Sequence, residues 1–485
     1  MRKIFISSIF LLFTSLAQAQ DATARRIVEL GKQDPQVMTW LDVLSNRFGG
    51  RMIGSDAYTH AAHWSNTQLG TWGLASELEE AGSMPLGFNR GPSSGRMLIP
   101  TAQNLRFTTP AYTSGTKGVQ SGAVVIAPHT LAEAQVRKNE FKNAWVLIEG
   151  ESSGEGRDDG GTNQPKPITL QLIAAGALGT IQSAEEPLFS AAATPTNWEN
   201  LPSLPDIKLA EEQYREIKEN INRHQEVRLE FDIRNWFYPG TVPYHNVLAK
   251  ITGREKPNEI VILGAHLDSF SGGTGAADNG AGVSTIMEAM RLLAKSGARP
   301  RRTILMLGFA GEELGLKGAY AFAQRHVGQL DKVVMMLNHD TRPGAVTGIT
   351  IPTKWQSVFD RVTQDLQDVH PLFDFQATLN DTPRDKTKAF SGRKGSDAAV
   401  FTSKGVPTPK LIIASDFDYD QVHHTVLDTY EKVLPFKSAQ QHSAIALAII
   451  AYEVANAPEN ISRENYYLPD VSVVSLVDAT HKKSQ

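Results

Sequence analysis

Histidine and carboxylate residues recur at the ends of short apolar runs in the second half of this chain. They lie in five segments: Gly264-Ala-His-Leu-Asp268, Asp278-Asn279-Gly280, Gly311-Glu-Glu313, Asn338-His-Asp340 and His423-His-Thr-Val-Leu-Asp428. Imidazole and carboxylate groups are ligands that zinc accepts readily. Because the chain contains no cysteine, any transition metal must be held by these two kinds of side chain.

The candidate metal ligands are two histidines and three acids: His266, Asp278, Glu313, Asp340 and His424. If one carboxylate is shared, this set can hold two metal ions, and a binuclear site of that kind promotes hydrolysis. Each residue alone has a structural alternative, such as a turn or helix cap at Asp278 or the first turn of a helix at Glu313. The joint occurrence of all five after apolar runs favours a hydrolytic metal site.

A parallel sheet would bring these residues together, because ligands bind at the carboxyl ends of its strands. Between about 243 and 460 the apolar pattern predicts strands at 258–263, 303–308, 332–337 and 409–414. It predicts helices at 280–293, 314–325, 354–369 and 438–455. Short apolar strands that alternate with amphipathic helices indicate a largely parallel sheet covered on both faces.

The preceding residues have two other textures. Residues 20–115 predict helices at 21–31, 37–48 and 59–72, followed by a turn-rich stretch. Residues 116–238 predict strands at 122–126, 144–148, 180–181 and 226–233, helices at 168–175 and 210–223, and a surface loop at 150–165. No repeat of fixed period is visible. We therefore expect the chain to comprise more than one structural part, with the metal site in the part formed by residues 243–460.

The first 19 residues have the pattern of a secretory signal. Arg2 and Lys3 precede an apolar run from Ile4 to Leu16, and Ala17-Gln-Ala19 offers small residues for cleavage. A membrane anchor is the alternative, but the run is shorter than the ~20 residues that span a bilayer. We expect cleavage after Ala19, which leaves 485 − 19 = 466 residues, and a periplasmic or secreted product.

The composition excludes several classes of protein. Lys plus Arg is 48 and Asp plus Glu is 52, so the formal net charge is −4, and hydrophobic residues make up 41%. These values are ordinary for a globular protein and do not fit a disordered chain or a strongly basic nucleic-acid binder. No later stretch reaches ~18 apolar residues, so we expect no membrane span. A homodimer is neither indicated nor excluded.

The order and spacing of the motifs over 240–435 resemble the co-catalytic di-zinc exopeptidases, a family that includes bacterial leucyl aminopeptidases and glutamate carboxypeptidases. The likeness is greatest to the plasma glutamate carboxypeptidase branch, and it extends to Gly395-Ser-Asp397 and Gly405-Val-Pro407. The resemblance implies a three-layer α/β/α fold with a mostly parallel, mixed central sheet. It also implies a β-rich protease-associated insert at 116–238, between residues 20–115 and 239–460 of the catalytic domain, with a tail at 461–485.

The resemblance also assigns roles to the candidate ligands. One zinc would be held by His266 and Asp340 and a second by Glu313 and His424, while Asp278 bridges the two ions. The peptide bond after the bridging aspartate is often cis in this family. His423 competes with His424 as a ligand, but the family places its histidine directly before Ser or Thr, which favours His424.

Two further acids complete the implied machinery. Glu312 would be the general base that takes a proton from water, and Asp268 would orient His266, since a ligating histidine needs its other ring nitrogen fixed. His339, beside Asp340, would point away from the metals.

The implied activity is hydrolysis of a peptide bond near a chain end. Tyr419 could donate a hydrogen bond to the oxyanion, and Arg393 and Asp397 are further candidate substrate-binding residues. Carboxylates around the metals favour an α-ammonium, hence an aminopeptidase or dipeptidase. Arg384, Arg393 and Lys394 could instead bind an α-carboxylate. A carboxypeptidase, a metal-free receptor-like relative and a cyclase acting on N-terminal glutamine remain alternatives.

Overall fold

The computed structural model describes residues 22–152, 167–184, 188, 197–367, 369–381, 395–459 and 463. The predicted signal segment therefore lies outside the described residues, as do Arg384, Arg393 and Lys394 and nearly all of the tail at 461–485. Among the described residues, none of the helices is both long enough and apolar enough to cross a membrane.

The strands, in chain order, are β1 (Ala75–Met84), β2 (Gly87–Asn89), β3 (Ser93–Ile99), β4 (Gln103–Asn104), β5 (Phe107–Thr108), β6 (Gln120–Ile126), β7 (Ala144–Ser152), β8 (Gly179–Ala184), β9 (Asp206–Ala210), β10 (Arg228–Ile233), β11 (Trp236–Tyr238), β12 (Val242–Ile251), β13 (Lys256–His266), β14 (Arg302–Phe309), β15 (Val333–Asn338), β16 (Ala345–Ile351), β17 (Gln376–Leu379) and β18 (Leu411–Ala414).

The α-helices are α1 (22–33), α2 (Val37–Asp42), α3 (Asp56–Thr71), α4 (Leu131–Val136), α5 (Pro167–Ala175), α6 (Glu211–Asn222), α7 (Ala281–Lys295), α8 (Lys317–Arg325), α9 (Gln356–Leu366), α10 (Ala398–Ser403), α11 (Tyr430–Val433) and α12 (Lys437–Asn456). A π-helical turn, Val43–Phe48, continues α2.

The central sheet has the strand order β1-β12-β14-β13-β15. The pairs β13–β14 and β13–β15 are parallel, whereas β1–β12 and β12–β14 are antiparallel. The sheet is thus mixed, with a parallel half that contains three of the four apolar strands predicted for this region. The fourth, predicted at 409–414, is β18, which pairs antiparallel with β16 in a separate sheet. All eight residues of β14 are buried, as expected for a strand covered on both faces.

Helices cover both faces of this sheet. On one face Val261 of β13 and Met306 of β14 pack in the same core as the buried sides of α7 and α12. On the other face Ile262 and Leu307 pack with α8 and α10. Alternate residues of each strand therefore enter opposite cores, as the two-residue period of a strand requires. The predicted three-layer α/β/α architecture is confirmed.

A smaller sheet, of order β17-β16-β18, extends the central layer. Its link to β15 is made by the segment that leads into β18, where the N–H of Met336 donates to the carbonyl of Pro407 at 2.8 Å. The long helix α12 packs against both β13 and β16. One helix therefore contacts both the central sheet and the smaller sheet.

A second, eight-stranded sheet has its own core. Its order is β4-β3-β10-β6-β7-β8-β9-β5. The fully buried Trp145 packs edge-to-face on Phe231 at 4.8 Å, in a core that also holds the buried face of α6. Helix α5 packs against the other face through Leu172. This sheet takes in β3, β4 and β5, which precede residue 116, where the sequence places the start of the insert.

Ten of the described strands are missing from the sequence-based expectations, namely β1 to β5, β9, β11, β12, β16 and β17. The first is an edge strand with three glutamates, and nearly all of its residues stay partly exposed, so it lacks an apolar signature. Helix α8 also begins later than predicted, at Lys317. Gly315 and Leu316 have positive φ values of 100° and 58°, which delay the first helical turn.

Candidate metal centre

Three of the predicted ligand segments meet because their strands are neighbours. In the parallel pair β13–β14, His266 lies opposite Phe309, which is followed by the loop containing Glu313. On the other side, Gly264 of β13 lies opposite Asn338, two residues before Asp340. All three strands end at the same edge of the sheet, so the residues that follow them are delivered to one place.

The first group of contacts centres on His266, whose side chain is 1% exposed. Its Nε2 lies 3.2 Å from Oδ1 of Asp278 and 3.4 Å from Oδ1 of Asp340. One imidazole nitrogen thus faces two carboxylates that come from different loops. These are the residues that the resemblance assigns to the first metal and to the bridge.

The second group centres on His424. Its Nε2 lies 3.0 Å from Oε2 of Glu313 and 3.2 Å from Oδ2 of Asp278. Asp278 therefore directs one carboxylate oxygen toward each histidine, His266 and His424. A carboxylate placed in this way can bridge two cations. The structure brings all five predicted ligands together.

Asp268 contacts His266, but with its main chain. The Nδ1 of His266 donates to the Asp268 carbonyl oxygen at 3.0 Å, whereas the carboxylate oxygen Oδ1 is 3.7 Å away. The carboxylate instead accepts the backbone N–H groups of Glu312 at 3.1 Å and Glu313 at 3.2 Å. One residue therefore orients the ring of His266 and holds the turn that carries both glutamates.

The loop around Asp278 is held from two sides. The peptide bond between Asp278 and Asn279 is cis, as the resemblance implies. The carboxylate of Asp428 accepts the N–H of Ala277 at 2.6 Å and of Asp278 at 3.1 Å. The side chain of Asn279 donates to the carbonyl of His339 at 3.0 Å. These bonds fix the direction in which the Asp278 side chain leaves the backbone.

The donor set fits a metal ion. The ligating atoms of His266, Asp278 and Glu313 all lie within 4.8 Å of one another, and those of Asp278, His423 and His424 do so as well. The Oε1 of Glu313 is buried and has no hydrogen-bond partner among the described residues. A buried carboxylate oxygen without a donor is costly unless a cation meets it. The residues present therefore suit a divalent cation with nitrogen and oxygen ligands.

The mutual electrostatics of the cluster are strong. Burial alone would raise the pKa of Asp278, but hydrogen bonds from His266 and His424 outweigh it and hold that pKa well below its usual range. Burial also opposes protonation of His424, yet Glu313 and Asp278 raise its pKa to about 10. Burial, aided by the Asp278 charge, raises the pKa of Glu313 to about 7. The cluster thus concentrates carboxylate charge that a bound cation would offset.

Glu312 lies close enough to His266, Asp340 and Glu313 for their charges to affect it, and it forms no ion pair with them among the described residues. Burial raises its pKa well above the ordinary value; His266 opposes this rise, and the carboxylates of Asp340 and Glu313 add to it. A bound divalent cation carries positive charge, unlike the neighbouring carboxylates, and would lower the pKa of Glu312 and favour its ionised form.

The two competing histidines differ from the predicted ligands. His423 reaches only Asp278, at 3.4 Å, and its side chain is 39% exposed. His339 is fully buried, its ring nitrogens have no hydrogen-bond partner among the described residues, and burial lowers its pKa to about 4. Of these two neighbouring histidines, His424 contacts two of the acidic ligands and His423 contacts one, which favours His424 as the ligand.

Of the three predicted substrate-binding residues, the structure describes Tyr419 and Asp397 but not Arg393. The ring of Tyr419 stacks on His423 at 4.8 Å, and burial, with the Asp278 and Asp340 charges, raises the pKa of its hydroxyl well above the usual value. That hydroxyl is therefore a neutral donor near the cluster. Asp397 is fully buried, and neither carboxylate oxygen has a partner among the described residues. Arg393 lies outside the described residues.

Three residues around the site carry no role in the sequence-based prediction. Asp428 is the last residue of the segment that contains His424, so its position in that motif could have indicated a role at the site. Phe270 packs edge-to-face on His424 at 4.4 Å. Arg51, some 200 residues before the motifs, donates to the backbone of the loops after His266. Nothing in the local sequence around Arg51 marks it.

The chain is similar in sequence to known peptidases. Residues 246–450 match the model of peptidase family M28. Carboxypeptidase Q of Rattus norvegicus is 26% identical over 451 residues, which cover 91% of this chain and 90% of that protein. These findings confirm the predicted resemblance to this family, over residues 246–450, and the assignment of the chain to the peptidases.

Solved structures support the fold. A peptidase M28 precursor from Shewanella amazonensis superposes with a TM-score of 0.60 at 24% identity, covering 92% of this chain and 98% of that one. A zinc aminopeptidase from Bacillus subtilis has a TM-score of 0.51 at 18% identity and covers 90% and 98%, respectively. At these identities the likeness concerns the fold.

Proposed function

Because residues 246–450 belong to peptidase family M28, we propose that this chain is an exported, zinc-dependent exopeptidase that acts as an aminopeptidase or dipeptidase. The observation that carries the proposal is the position of Asp278, whose two carboxylate oxygens face His266 and His424 at 3.2 Å each. Around this bridge, Asp340 approaches one histidine and Glu313 the other. Such an arrangement serves two metal ions better than one.

The proposed zinc ligands are His266 and Asp340 for one ion, Glu313 and His424 for the other, and Asp278 for both. When bound, a pair of such ions supplies Lewis acidity and lowers the pKa of water. The zinc aminopeptidase of Bacillus subtilis, which shares the fold, supports the choice of metal. The absence of cysteine agrees with a site made of imidazole and carboxylate groups.

The chain's own residues then divide the remaining work. Glu312 takes a proton from the attacking water and returns it to the leaving amine. Asp268 keeps Glu312 and Glu313 side by side through their backbone N–H groups, so that one side chain can bind metal while its neighbour reaches the water. Tyr419 offers a neutral hydroxyl that can donate to the developing oxyanion.

The preference for a free amino terminus rests on the charge of the site. Within the described residues, Arg51 is a cation that acts on Asp278 and Glu313, but it is fully buried and its guanidinium donates to backbone carbonyls. It is therefore not available to a substrate carboxylate. Because two bound zinc ions would offset the charge of the ligand carboxylates, the acids that are not ligands, such as Glu312, are the groups that would attract an α-ammonium.

A carboxypeptidase with the same mechanism is the second candidate, and the name of the rat relative favours it. It would need a cation at the site, and Arg393 remains a candidate for that role. A non-catalytic receptor and a glutamine cyclase are less well supported, because the complete ligand set and Glu312 are present. Dipeptides with free, amidated and acetylated ends separate these activities, and release of pyroglutamate identifies the cyclase.

Export is part of the proposal. Its support is the Arg2-Lys3 start, the apolar run to Leu16 and the Ala17-Gln-Ala19 cleavage pattern. Sequencing the amino terminus of the protein recovered from the periplasm or medium tests it. A product that starts at Gln20 supports export with cleavage, and an intact Met1 contradicts it.

We also propose that the separate eight-stranded sheet corresponds to the protease-associated insert. Its support is its own core around Trp145 and Phe231 and its position within the chain before β12. Its strands lie between Ser93 and Ile233.

The decisive experiment combines metal analysis with peptide cleavage on the purified mature protein. We expect two zinc ions per chain, cleavage of dipeptides with a free amino terminus, and loss of cleavage on chelation with recovery on adding zinc. A protein that holds no zinc, or one that holds zinc and cleaves none of the peptides, contradicts the proposal.

A further inference from the structure

Arg51 occupies an unusual place beside the metal centre. It lies between the π-helical turn Val43–Phe48 and α3, and none of its surface is exposed. A buried guanidinium normally pairs with a carboxylate. Arg51 instead donates to five backbone carbonyls, those of Leu267, Leu44, Gly49, Thr274 and Gly275, at 2.8–3.0 Å.

Two of these carbonyl acceptors lie close in sequence to the proposed metal ligands. Leu267 directly follows the ligand His266, and its carbonyl accepts from Nε at 2.9 Å. Gly275 lies three residues before Asp278, and its carbonyl accepts from Nη2 at 2.8 Å. The guanidinium thus joins the end of β13 to the loop that delivers the bridging aspartate.

The backbone of Arg51 strengthens the same connection. Its N–H donates to the hydroxyl of Ser269 at 3.0 Å, and its carbonyl accepts from the N–H of Ser269 at 3.3 Å. Gly275 has a positive φ of 62°, and a Cβ there would lie 2.0 Å from the Ser269 hydroxyl and 3.2 Å from Nη2 of Arg51. The loop is therefore packed directly on the arginine.

Among the described residues, no carboxylate forms a direct ion pair with Arg51, but four carboxylates lie near enough to affect its charge. Burial lowers its pKa to about 10, and the carboxylates of Asp428, Asp268, Asp278 and Glu313 act against that change. The residue stays cationic at neutral pH and offsets part of the negative charge of the ligand cluster. Arg51 therefore adds a fixed positive charge beside the site, and the sequence-based prediction of the site did not contain this residue.

We propose that Arg51 is a positioning residue that sets the distance between His266 and Asp278 and so preforms the zinc centre. The proposal rests on the proposed function, because it assumes that these residues bind zinc. Arginine is needed because a planar fork of five donors can reach several carbonyls at once, whereas a lysine ammonium is a single point with three donors.

The test is the zinc affinity of Arg51→Lys, measured by competition with a fluorescent zinc chelator on the full chain. Partners that orient metal ligands typically contribute 10–100-fold in affinity or activity. We expect the zinc dissociation constant to rise by about 10–100-fold and kcat to fall, with KM changed less. The thermal unfolding temperature of the metal-free protein is measured in parallel.

Arg302→Lys is the matched control. Arg302 is also fully buried and donates to backbone carbonyls, those of Ala455 and Ala457, but it stands at the start of β14, the end of that strand away from the site. We expect this variant to lower the unfolding temperature without changing zinc affinity. If Arg51→Lys behaves in the same way, Arg51 is merely structural and the proposal is wrong.

A milder variant covers the case in which Arg51→Lys does not fold. Ser269→Ala removes the hydroxyl that holds the Arg51 backbone. We expect a smaller rise of the zinc dissociation constant, and an unchanged constant contradicts the proposal. If the parent protein itself binds no zinc, the proposed function fails; normal binding by the parent with unchanged binding by the variants refutes the role of Arg51 alone.

Discussion

The carboxylate of Asp268 accepts a hydrogen bond from the backbone N–H of Glu312 at 3.1 Å. Its second oxygen accepts the N–H of the next residue, Glu313, at 3.2 Å. The proposed general base and one proposed zinc ligand are therefore held by a single acid that comes from another loop. Loss of this acid should disturb both glutamates together.

Asp268→Asn tests this coupling. An asparagine retains one oxygen acceptor and places an NH2 group against the other backbone N–H, so one of the two hydrogen bonds is lost. We expect kcat to fall by about 10–100-fold, while the ring of His266 keeps its bond to the main-chain carbonyl. Steady-state kinetics at saturating zinc provide the measurement. An unchanged kcat would show that the carboxylate does not support the two glutamates.

Glu312→Gln tests the general base. The amide cannot accept a proton from water, so kcat should fall by about 10²–10⁴-fold, whereas zinc content should stay at the parental value. Glu313→Gln is the matched control, because it alters the neighbouring proposed ligand and should lower the zinc content. Near-parental turnover in Glu312→Gln would refute the assignment of the base.

The paired histidines can be distinguished by metal analysis. His424 lies within 3.2 Å of both Asp278 and Glu313, whereas His423 approaches only Asp278, at 3.4 Å. We expect His424→Gln to lose one zinc per chain and His423→Gln to keep both. The reverse result would make His423 the ligand.

The pH dependence of stability should report on His442, which is remote from the predicted ligands in α12. Its ring is buried, its Nε2 lies 3.2 Å from the carbonyl of Val346, and burial lowers its pKa from 6.5 to about 4. Between these values the unfolded chain binds more protons than the folded one, so stability is full above pH 6.5 and falls as the pH drops toward 4. The loss from this group is about 2 kcal/mol at pH 5.

His442→Gln should remove that part of the pH dependence. Glutamine keeps a donor near the Val346 carbonyl and does not titrate. Urea unfolding of the metal-free protein at pH 7 and pH 5 measures the difference, and metal release then cannot confound it. The exposed His60 provides the control variant, His60→Gln, which should behave like the parent. A parental pH dependence in His442→Gln would contradict this account.

Much of the catalytic half could be read from the sequence because its elements are buried on both sides. The residues around Val261, Met306 and Leu337 form continuous apolar runs. A run of this kind can be recognised as a buried strand from the sequence alone, without knowing which strands pair with it. The edge strand β1 is polar on its exposed side and was not predicted. The residues Arg393, Arg384 and Lys394 lie outside the described part of the chain, so their roles stay predictions.

By itself, the sequence determined the residue types available for chemistry, their order and the family. The motifs around His266, Asp278, Glu313, Asp340 and His424 contain the donors of the proposed site, and the lack of cysteine excludes thiolate ligands. These properties are local, because they depend on side-chain chemistry and on spacing along a strand and the loop after it.

Only the tertiary structure decided which atoms meet. It showed that the Asp268 carbonyl rather than its carboxylate receives His266, that His424 rather than His423 reaches Glu313, and that Arg51 joins the loops. Contacts of this kind depend on backbone carbonyls and on loops that are distant in the chain. A backbone carbonyl is present at every residue, so its use by a particular donor leaves no mark in the sequence.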